Sequence, residues 1–226
     1  HCAASLQYLD RDAALIERIN VGGTYHTLGV AAAIAARRVN VVSTAYVAGN
    51  QTGTIPEAPA DAAWSQNCYE RSKVAAERLT LDCPRPVRVL RPSVVIGHSQ
   101  TYGALNFNGL YGFLRGLHKF KGVMERAQRG LCATLEVRLR ADSAGSVNFI
   151  PVDYVARDAI RLARNDAPIG IYHLTSAQPT PTSVLLATVF AAAGLRPPIF
   201  VQDRAALTAV DQKLDGRIDF YTSYFQ

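Results

Sequence analysis

Tyr69 and Lys73 lie four residues apart in Asn67-Cys68-Tyr69-Glu70-Arg71-Ser72-Lys73. On a helix that spacing puts both side chains on one face. An ammonium group beside a phenol would lower the phenol's pKa and make it a usable proton donor near neutral pH. The pair gains weight from its company. Ser43-Thr44-Ala45-Tyr46-Val47-Ala48-Gly49 precedes it and Arg91-Pro92-Ser93 follows. Asn20-Val21-Gly22-Gly23-Thr24 and His1-Cys2-Ala3-Ala4 come before all of these. A hydride reaching a carbonyl carbon leaves charge on oxygen, and positioned donors stabilise that charge. Thr44 and Tyr69 are the candidate donors. Lys73 would tune the phenol, and Asn20 would anchor a water or backbone group relaying protons towards Lys73.

The segments around these residues alternate between strand and helix. Asp10 to Arg37 reads as one long helix with apolar or small groups near one face (Ala13, Ile16, Ile19, Gly23, Leu28, Ala31, Ile34). Gly22-Gly23 inside it would weaken an isolated helix, so close approach of a neighbouring backbone or ligand is expected there. Val39 to Thr44 reads as a buried parallel strand ending in hydroxyls. Ala48 to Trp64 reads as a loop, Tyr69 to Leu81 as a helix stopped by Pro84 and Pro86, and Val87 to Leu90 as a second buried strand. Gln100 to Arg140 mixes aromatics, glycines and basic groups without strand periodicity. Val147 to Val152 resumes strand-like sequence. Asp153 is expected to cap a helix from Tyr154 to Ala163. Gly170 to Thr175 reads as a strand and Pro181 to Ala193 as a helix ending at Gly194.

This alternation predicts an α/β fold, a parallel sheet with crossover helices and a smaller C-terminal substrate lobe. Residues 1–97 would belong to the core and 98–146 to the lobe. Residues 147–175 would return to the core, and 176–226 would complete the lobe and tail. In such sheets ligands sit beyond the carboxyl ends of the strands, where Thr44, Tyr69, Pro92 and Ser93 fall.

Composition narrows the function classes. Half the residues are hydrophobic (49%) and only 19% are charged, which excludes a disordered chain. No uninterrupted apolar run is long enough to span a membrane, and no signal peptide is visible. Cys2, Cys68, Cys83 and Cys132 are scattered with no Cys-x-x-Cys pair, so neither a metal site nor a redox dithiol is expected. Free thiols in a reducing cytoplasm are the default, with Cys68 the one placed beside a candidate catalytic group. His26, His98, His118 and His173 have no matching partners and read as surface or satisfied core groups. Net charge is +6 and mostly arginine, since Lys73, Lys119, Lys121 and Lys213 are the only lysines. Basic residues gather between Arg115 and Arg140. A solvated surface is the simplest reading, a docking face for an anionic substrate the next, and nucleic acid is not expected as a partner.

The order His-x-Ala-Ala, Asn-Val-x-Gly-Thr, Ser-Thr-Ala-Tyr-Val, Tyr-x-x-x-Lys, Arg-Pro-Ser resembles the extended short-chain dehydrogenase/reductase superfamily, over at least His1 to Thr175. The resemblance implies a Rossmann-like doubly wound parallel sheet, with residues 1–97 the C-terminal part of its dinucleotide-binding core, and catalytic roles for Thr44, Tyr69, Lys73 and Asn20. It also implies a cofactor lined by His1, Ala3, Ala4, Tyr69, Lys73, Arg91, Pro92 and Ser93. Val42-Ser43-Thr44-Ala45-Tyr46-Val47 and Leu90-Arg91-Pro92-Ser93-Val94-Val95-Ile96-Gly97 look like the thioester reductase and fatty acyl-CoA reductase (male sterility) branch. That branch implies NADPH, with NADH as the alternative, reducing a CoA- or carrier-bound acyl thioester to an aldehyde or onward to an alcohol. An acyl or peptidyl carrier protein is the implied partner. Two other readings stay open: an NAD-dependent nucleotide-sugar epimerase or dehydratase, or other extended-type carbonyl reductase; and a non-enzymatic reductase-like scaffold. The superfamily's first strand and its Gly-x-x-Gly-x-x-Gly phosphate loop have no counterpart here, because Gly22-Gly23 does not follow a strand. The chain is therefore expected to be the C-terminal part of a larger protein.

Overall fold

A computed structural model describes residues 1–7, 10–105, 107, 109–165 and 167–222. The end of the tail, 223–226, and the lobe residues Asn106 and Asn108 lie outside the described residues. The chain forms two compact units, His1–Val95 with Ile150–Thr175, and Ile96–Phe149 with Ser176–Gln226.

The first unit opens with helix. A 3₁₀ turn (Asp10–Asp12) leads into α1 (Ala13–Glu17), a π-helical stretch (Arg18–Gly22) and α2 (Gly23–Ala33). The single expected helix is thus one helical run that changes pitch around Asn20 and ends four residues short of Arg37. Ala35 at φ 52° closes it. Among the described residues no neighbouring backbone approaches Gly22 or Gly23, where an added Cβ would meet nothing within 4 Å. That corrects the backbone half of the expectation of a close backbone or ligand. The two glycines sit instead where the π turn passes into α2.

Three strands follow the helices into a parallel sheet. β1 (Val39–Val42) ends two residues before Thr44, α3 (Cys68–Leu81) crosses over, and β2 (Val87–Pro92) lies in register with β1, Val41 opposite Val89. The chain leaves the unit within β3 (Val94–Ile96). In the second unit it forms α4 (Leu110–Ala127), β4 (Arg138–Arg140) and β5 (Ser146–Val147). It returns within β6 (Phe149–Pro151) and continues as α5 (Val152–Arg164) and β7 (Gly170–Leu174), which pairs parallel with β2. The order β1-β2-β7 makes β2 the central strand, and all six of its residues are buried. Helices cover both faces, as a doubly wound sheet requires. Ala31 of α2 packs with Val39, Val41 and Val87, while Val155, Ala159 and Leu162 of α5 pack against Leu90, Ile150 and Leu174. Burying these branched side chains on two faces is what holds the strand ends in place.

Two local expectations change. The strand expected from Val147 to Val152 is split between β5 and β6, and Val152 already belongs to α5. Asp153 is not the cap: Pro151 occupies that position, and Asp153 lies in the first turn, where its charge still complements the helix dipole.

The second unit continues with β8 (Thr180–Pro181), α6 (Thr182–Ala192), β9 (Ile199–Val201) and α7 (Ala209–Thr222). β4 pairs parallel with β9 and β5 antiparallel with β8. Its core holds Phe113, Leu117, Phe120, Leu186, Phe190, Leu214 and Ile218. No helix of the described residues is long and apolar enough to cross a membrane.

Candidate active site

The site grows out of the carboxyl end of β1. The chain leaves the sheet extended at Thr44 and enters a 3₁₀ turn (Ala45–Ala48), which Thr44 caps by accepting a hydrogen bond from Tyr46 N (3.2 Å). The turn ends at Gly49, whose φ of 60° and ψ of −132° suit glycine alone. A Cβ there would sit 1.9 Å from the Trp64 carbonyl oxygen, and the next residue, Asn50, donates to that same oxygen. Glycine thus lets the loop fold back to the start of α3. That helix is set by a reciprocal cap, for which the Asn67-x-x-Glu70 spacing is the signal in the sequence. Asn67 Oδ1 accepts from Glu70 N (2.9 Å), and the Glu70 carboxylate accepts from Gln66 N (2.7 Å) and Asn67 Nδ2 (3.0 Å).

The fixed helix start presents Tyr69 to Thr44, and their hydroxyls are hydrogen-bonded. One turn on, Lys73 is almost fully buried and donates from Nζ to the Val42 carbonyl (2.9 Å). This geometry reverses one electrostatic expectation. The Tyr69 phenol is pushed up to about 12, chiefly by burial, with Glu70 adding to the rise and the Thr44 bond opposing it. Burial also draws the Lys73 ammonium down, against the pull of Glu77. The ammonium is directed at a backbone carbonyl, and desolvation outweighs its influence on the phenol. Tyr46 nearby is raised further still, by burial first and then by Glu70 and Tyr69.

Asn20 is buried and engaged with protein on both sides of its amide. Oδ1 accepts from Ser5 N (2.7 Å), and Nδ2 donates to Ser5 O (3.1 Å) and Ser72 Oγ (2.9 Å). Ser72 Oγ in turn donates to Tyr69 O (2.7 Å). The side chain therefore ties the segment after His1 to the helix of Tyr69 and Lys73, which is a positioning role. Its backbone carbonyl accepts from Thr24 Oγ1 (2.7 Å).

His1 meets the sheet as a parallel strand end. Its N donates to Asn40 O (2.8 Å) and its carbonyl accepts from Val42 N (2.9 Å). Its ring lies against Thr24 Oγ1 and Thr27 Oγ1 at 3.4 and 3.2 Å. Ala3 and Ala4 leave the sheet without regular structure. Arg91 is engaged elsewhere. Nε and Nη2 bind both oxygens of Glu77 (3.0 and 2.6 Å), Nη2 also donates to Ala58 O (2.9 Å), and Nη1 lies 3.4 Å from His173 Nε2. Such a guanidinium organises the core and the loop before α3.

Three buried side-chain oxygens have no hydrogen-bond partner among the described residues: Ser43, Ser65 and Ser93. Two of them end adjacent strands. Ser43 N donates to Leu90 O (2.7 Å) beyond β1, and Ser93 N donates to Leu174 O (3.1 Å) beyond β2. Ser43 was not among the residues singled out from sequence, although it stands beside Thr44 in the quoted motif. Buried hydroxyls without partners are costly, and ligand sites are where they persist. With Lys73, whose ammonium has donors beyond the one given to Val42, they suit the ribose hydroxyls and carboxamide of a nicotinamide cofactor. Among the described residues no group of three or more His, Cys, Asp or Glu side chains could hold a metal ion.

Solved structures share this fold. The terminal R domain from the myxalamid PKS-NRPS biosynthetic pathway is 23% identical, with a TM-score of 0.71, over 96% of this chain and 53% of that one. The chain thus spans about half the length of that domain. RMD from Pseudomonas aeruginosa, solved with NADPH, is 20% identical with a TM-score of 0.61, over 97% of this chain and 80% of that one. UDP-glucuronic acid 4-epimerase from Bacillus cereus, solved with UDP-glucuronic acid and NAD, is 13% identical with a TM-score of 0.65, over 99% of this chain and 74% of that one. No curated protein matches the chain. The family model described as male sterility protein, an NAD-binding model, matches residues 1–159, a stretch that runs from the His1 strand end through β1, α3 and β2 into α5. The extended short-chain dehydrogenase/reductase resemblance is thereby borne out, and the chain belongs to the male sterility protein family of NAD-binding domains.

Proposed function

We propose that this chain is the catalytic part of an NADPH-dependent reductase that converts a carrier- or CoA-bound acyl thioester to an aldehyde. The observation that carries the reading is the Thr44–Tyr69 hydrogen bond at the end of β1, with Lys73 anchored one helical turn away. A nicotinamide cofactor held there would supply the hydride that the thioester carbonyl carbon receives. As the carbonyl π electrons move to oxygen, the Thr44 and Tyr69 hydroxyls donate to that oxygen, and Tyr69 gives up its proton to it. The hemithioacetal then breaks its carbon–sulfur bond, the hydroxyl proton leaves with the thiol, and aldehyde and free thiol result. Lys73 would hold the cofactor ribose, and the unpartnered hydroxyls of Ser43 and Ser93 would serve the nicotinamide carboxamide. Family membership and the likeness to a terminal R domain of a PKS-NRPS pathway support a carrier-bound substrate. Similar structures solved with NADPH and with NAD support a nicotinamide cofactor of either type, and the family resemblance favours NADPH.

The test follows absorbance of reduced nicotinamide as the full-length protein meets NADPH and a panel of acyl-CoA thioesters, with the aldehyde trapped as a hydrazone. Tyr69→Phe should lower turnover by about 10²–10⁴-fold, the usual worth of a positioned acid. Conversion of a nucleotide sugar without net use of nicotinamide, with no thioester consumed, would refute the proposal.

A further inference from the structure

The second unit carries a groove that the proposed chemistry does not use. It has a volume of about 380 Å³ and is lined by His118, Lys119, Gly122, Val123, Arg126 and Arg217. On α4, Lys119, Gly122 and Arg126 follow a three–four spacing and so share one face. The fourth polar wall comes from α7, and a glycine brings that helix near. A Cβ on Gly116 would stand 2.9 Å from Ile218 Cγ2 and 3.4 Å from Arg217 O, so glycine leaves room for the Ile218 side chain where α7 packs on α4. Arg217 is thereby held beside the cationic face of α4.

The groove's charge is one-sided. No acidic residue lines it. Among the described residues, none of Lys119, Arg126 and Arg217 forms an ion pair, although other cations of the unit do, Arg140 with Asp215 and Arg196 with Glu136. The nearby carboxylate of Glu125 is turned to the backbone, accepting from Gly130 N (2.7 Å) and Cys132 N (3.1 Å). Three cations lining one concave site without a counter-charge repel one another, and a multivalent anion relieves that repulsion. Concavity decides between kinds of anion. An acidic protein face would need a broad flat contact, whereas a groove this size admits a compact group such as a diphosphate, on which arginine forks close in bidentate fashion.

We propose that this groove binds a diphosphate-bearing ligand, at a site separate in its residues from the Thr44–Tyr69–Lys73 centre. Isothermal titration calorimetry of the full chain with inorganic pyrophosphate tests it without reference to turnover. One pyrophosphate should bind per chain, with affinity falling as sodium chloride rises. Arg126→Glu and Arg217→Glu should each weaken binding about tenfold or more, the scale of a charge-assisted contact turned repulsive. Arg129→Glu, an exposed reversal on the same unit outside the groove, should leave it unchanged. All three side chains are exposed, and an unchanged melting temperature will show that the variants fold. Absence of pyrophosphate binding, or equal weakening by all three variants, overturns the proposal. So does preferential, groove-dependent binding of hexaglutamate, which would assign the surface to an acidic protein. Coenzyme A set against pantetheine, which lacks the phosphates, then separates a substrate's own diphosphate from that of a free nucleotide. Competition of pyrophosphate by coenzyme A alone points to the substrate, and competition by ADP equally to a nucleotide.

Discussion

Removing Glu77 separates the two roles open to Arg91. The pair is 1% and 3% exposed, and both carboxylate oxygens accept from the guanidinium, at 3.0 and 2.6 Å. Glu77→Leu leaves the charge buried against Ala58 O and a histidine whose ring is itself kept neutral by burial and by Arg91. Breaking a buried pair from one side costs about 3–5 kcal/mol, because the survivor stays desolvated without its partner. For a chain of this size each kcal/mol moves the melting temperature by roughly 2–4 °C, so a drop of about 6–20 °C is expected. Arg91→Met combined with Glu77→Leu removes both charges and should recover most of that loss, since an apolar pair of similar volume is often neutral or better. Urea unfolding followed through Trp64, the only tryptophan and part of the same unit, reads the change where it occurs. The reasoning is refuted if Glu77→Leu costs under about 1 kcal/mol, the worth of an exposed pair. It is equally refuted if Arg91→Met leaves stability intact while raising the KM for NADPH, which is the outcome a cofactor contact would give.

Asn20→Ala should destabilise the chain by roughly 1–3 kcal/mol for each group left without a partner at Ser5 and Ser72, and lower kcat. Asn20→Ser, which restores only one contact, should recover part of both, whereas a pure proton-relay role would change kcat alone. Gly49→Ala should cost well over 1 kcal/mol in a denaturant melt, because the new Cβ meets the Trp64 carbonyl and the backbone conformation is one that side chains avoid. In an alkaline titration at 295 nm, Tyr69 should ionise near pH 12 rather than pH 10. Its raised value favours the folded state below pH 10, and that contribution disappears as pH rises through 12. Tyr69→Phe should remove one late-titrating tyrosine. His173, whose pKa is lowered by burial and then by Arg91, works in the opposite direction. It contributes stability above the ordinary histidine value, about 6.5, and loses it as pH falls, so His173→Gln should flatten the acid limb of a stability–pH curve.

What the sequence makes legible is whatever depends on local pattern. Val39 to Thr44 and Val87 to Leu90 read as buried strands because valines and leucine recur in short runs, which Asn40 and Arg88 interrupt without hiding. Tyr69-x-x-x-Lys73 reads as one helix face because four residues make about one turn. The π turn around Asn20 is not legible, since no residue type specifies an extra residue per turn and tertiary packing against α3 selects it. Glu77 gives no sign that it belongs to Arg91, because the two meet only once α3 lies over β2 in this register. Ser43 and Ser93 are ordinary strand-end hydroxyls in the sequence, and only burial without a partner distinguishes them. Lys73 is visible as a neighbour of Tyr69, but the desolvation that outweighs it is a property of the assembled unit.

That reversed electrostatics bears on which direction of chemistry the site suits. An enzyme that begins by oxidising a hydroxyl, as a sugar epimerase must, needs a base, and a phenol serves as one near neutral pH only if its pKa is brought down towards 7. An enzyme that reduces a carbonyl needs the opposite, a phenol still carrying its proton when the oxyanion forms. Burial around Tyr69 serves the reductive direction, because a phenol with a pKa near 12 is fully protonated at any physiological pH. In the free chain the Thr44 hydroxyl opposes burial by acting on the Tyr69 oxygen. It has one proton, so in the proposed reaction it turns from the phenol to the substrate oxygen, and the phenolate left on Tyr69 must be steadied by another group. Lys73, held on the Val42 carbonyl and short of full hydration, keeps its charge near that phenolate without discharging the phenol beforehand. The proposed reductase uses each of these shifts in the direction the structure gives it, whereas an epimerase, whose half-reactions run both ways, would need the same phenol as base as well as acid.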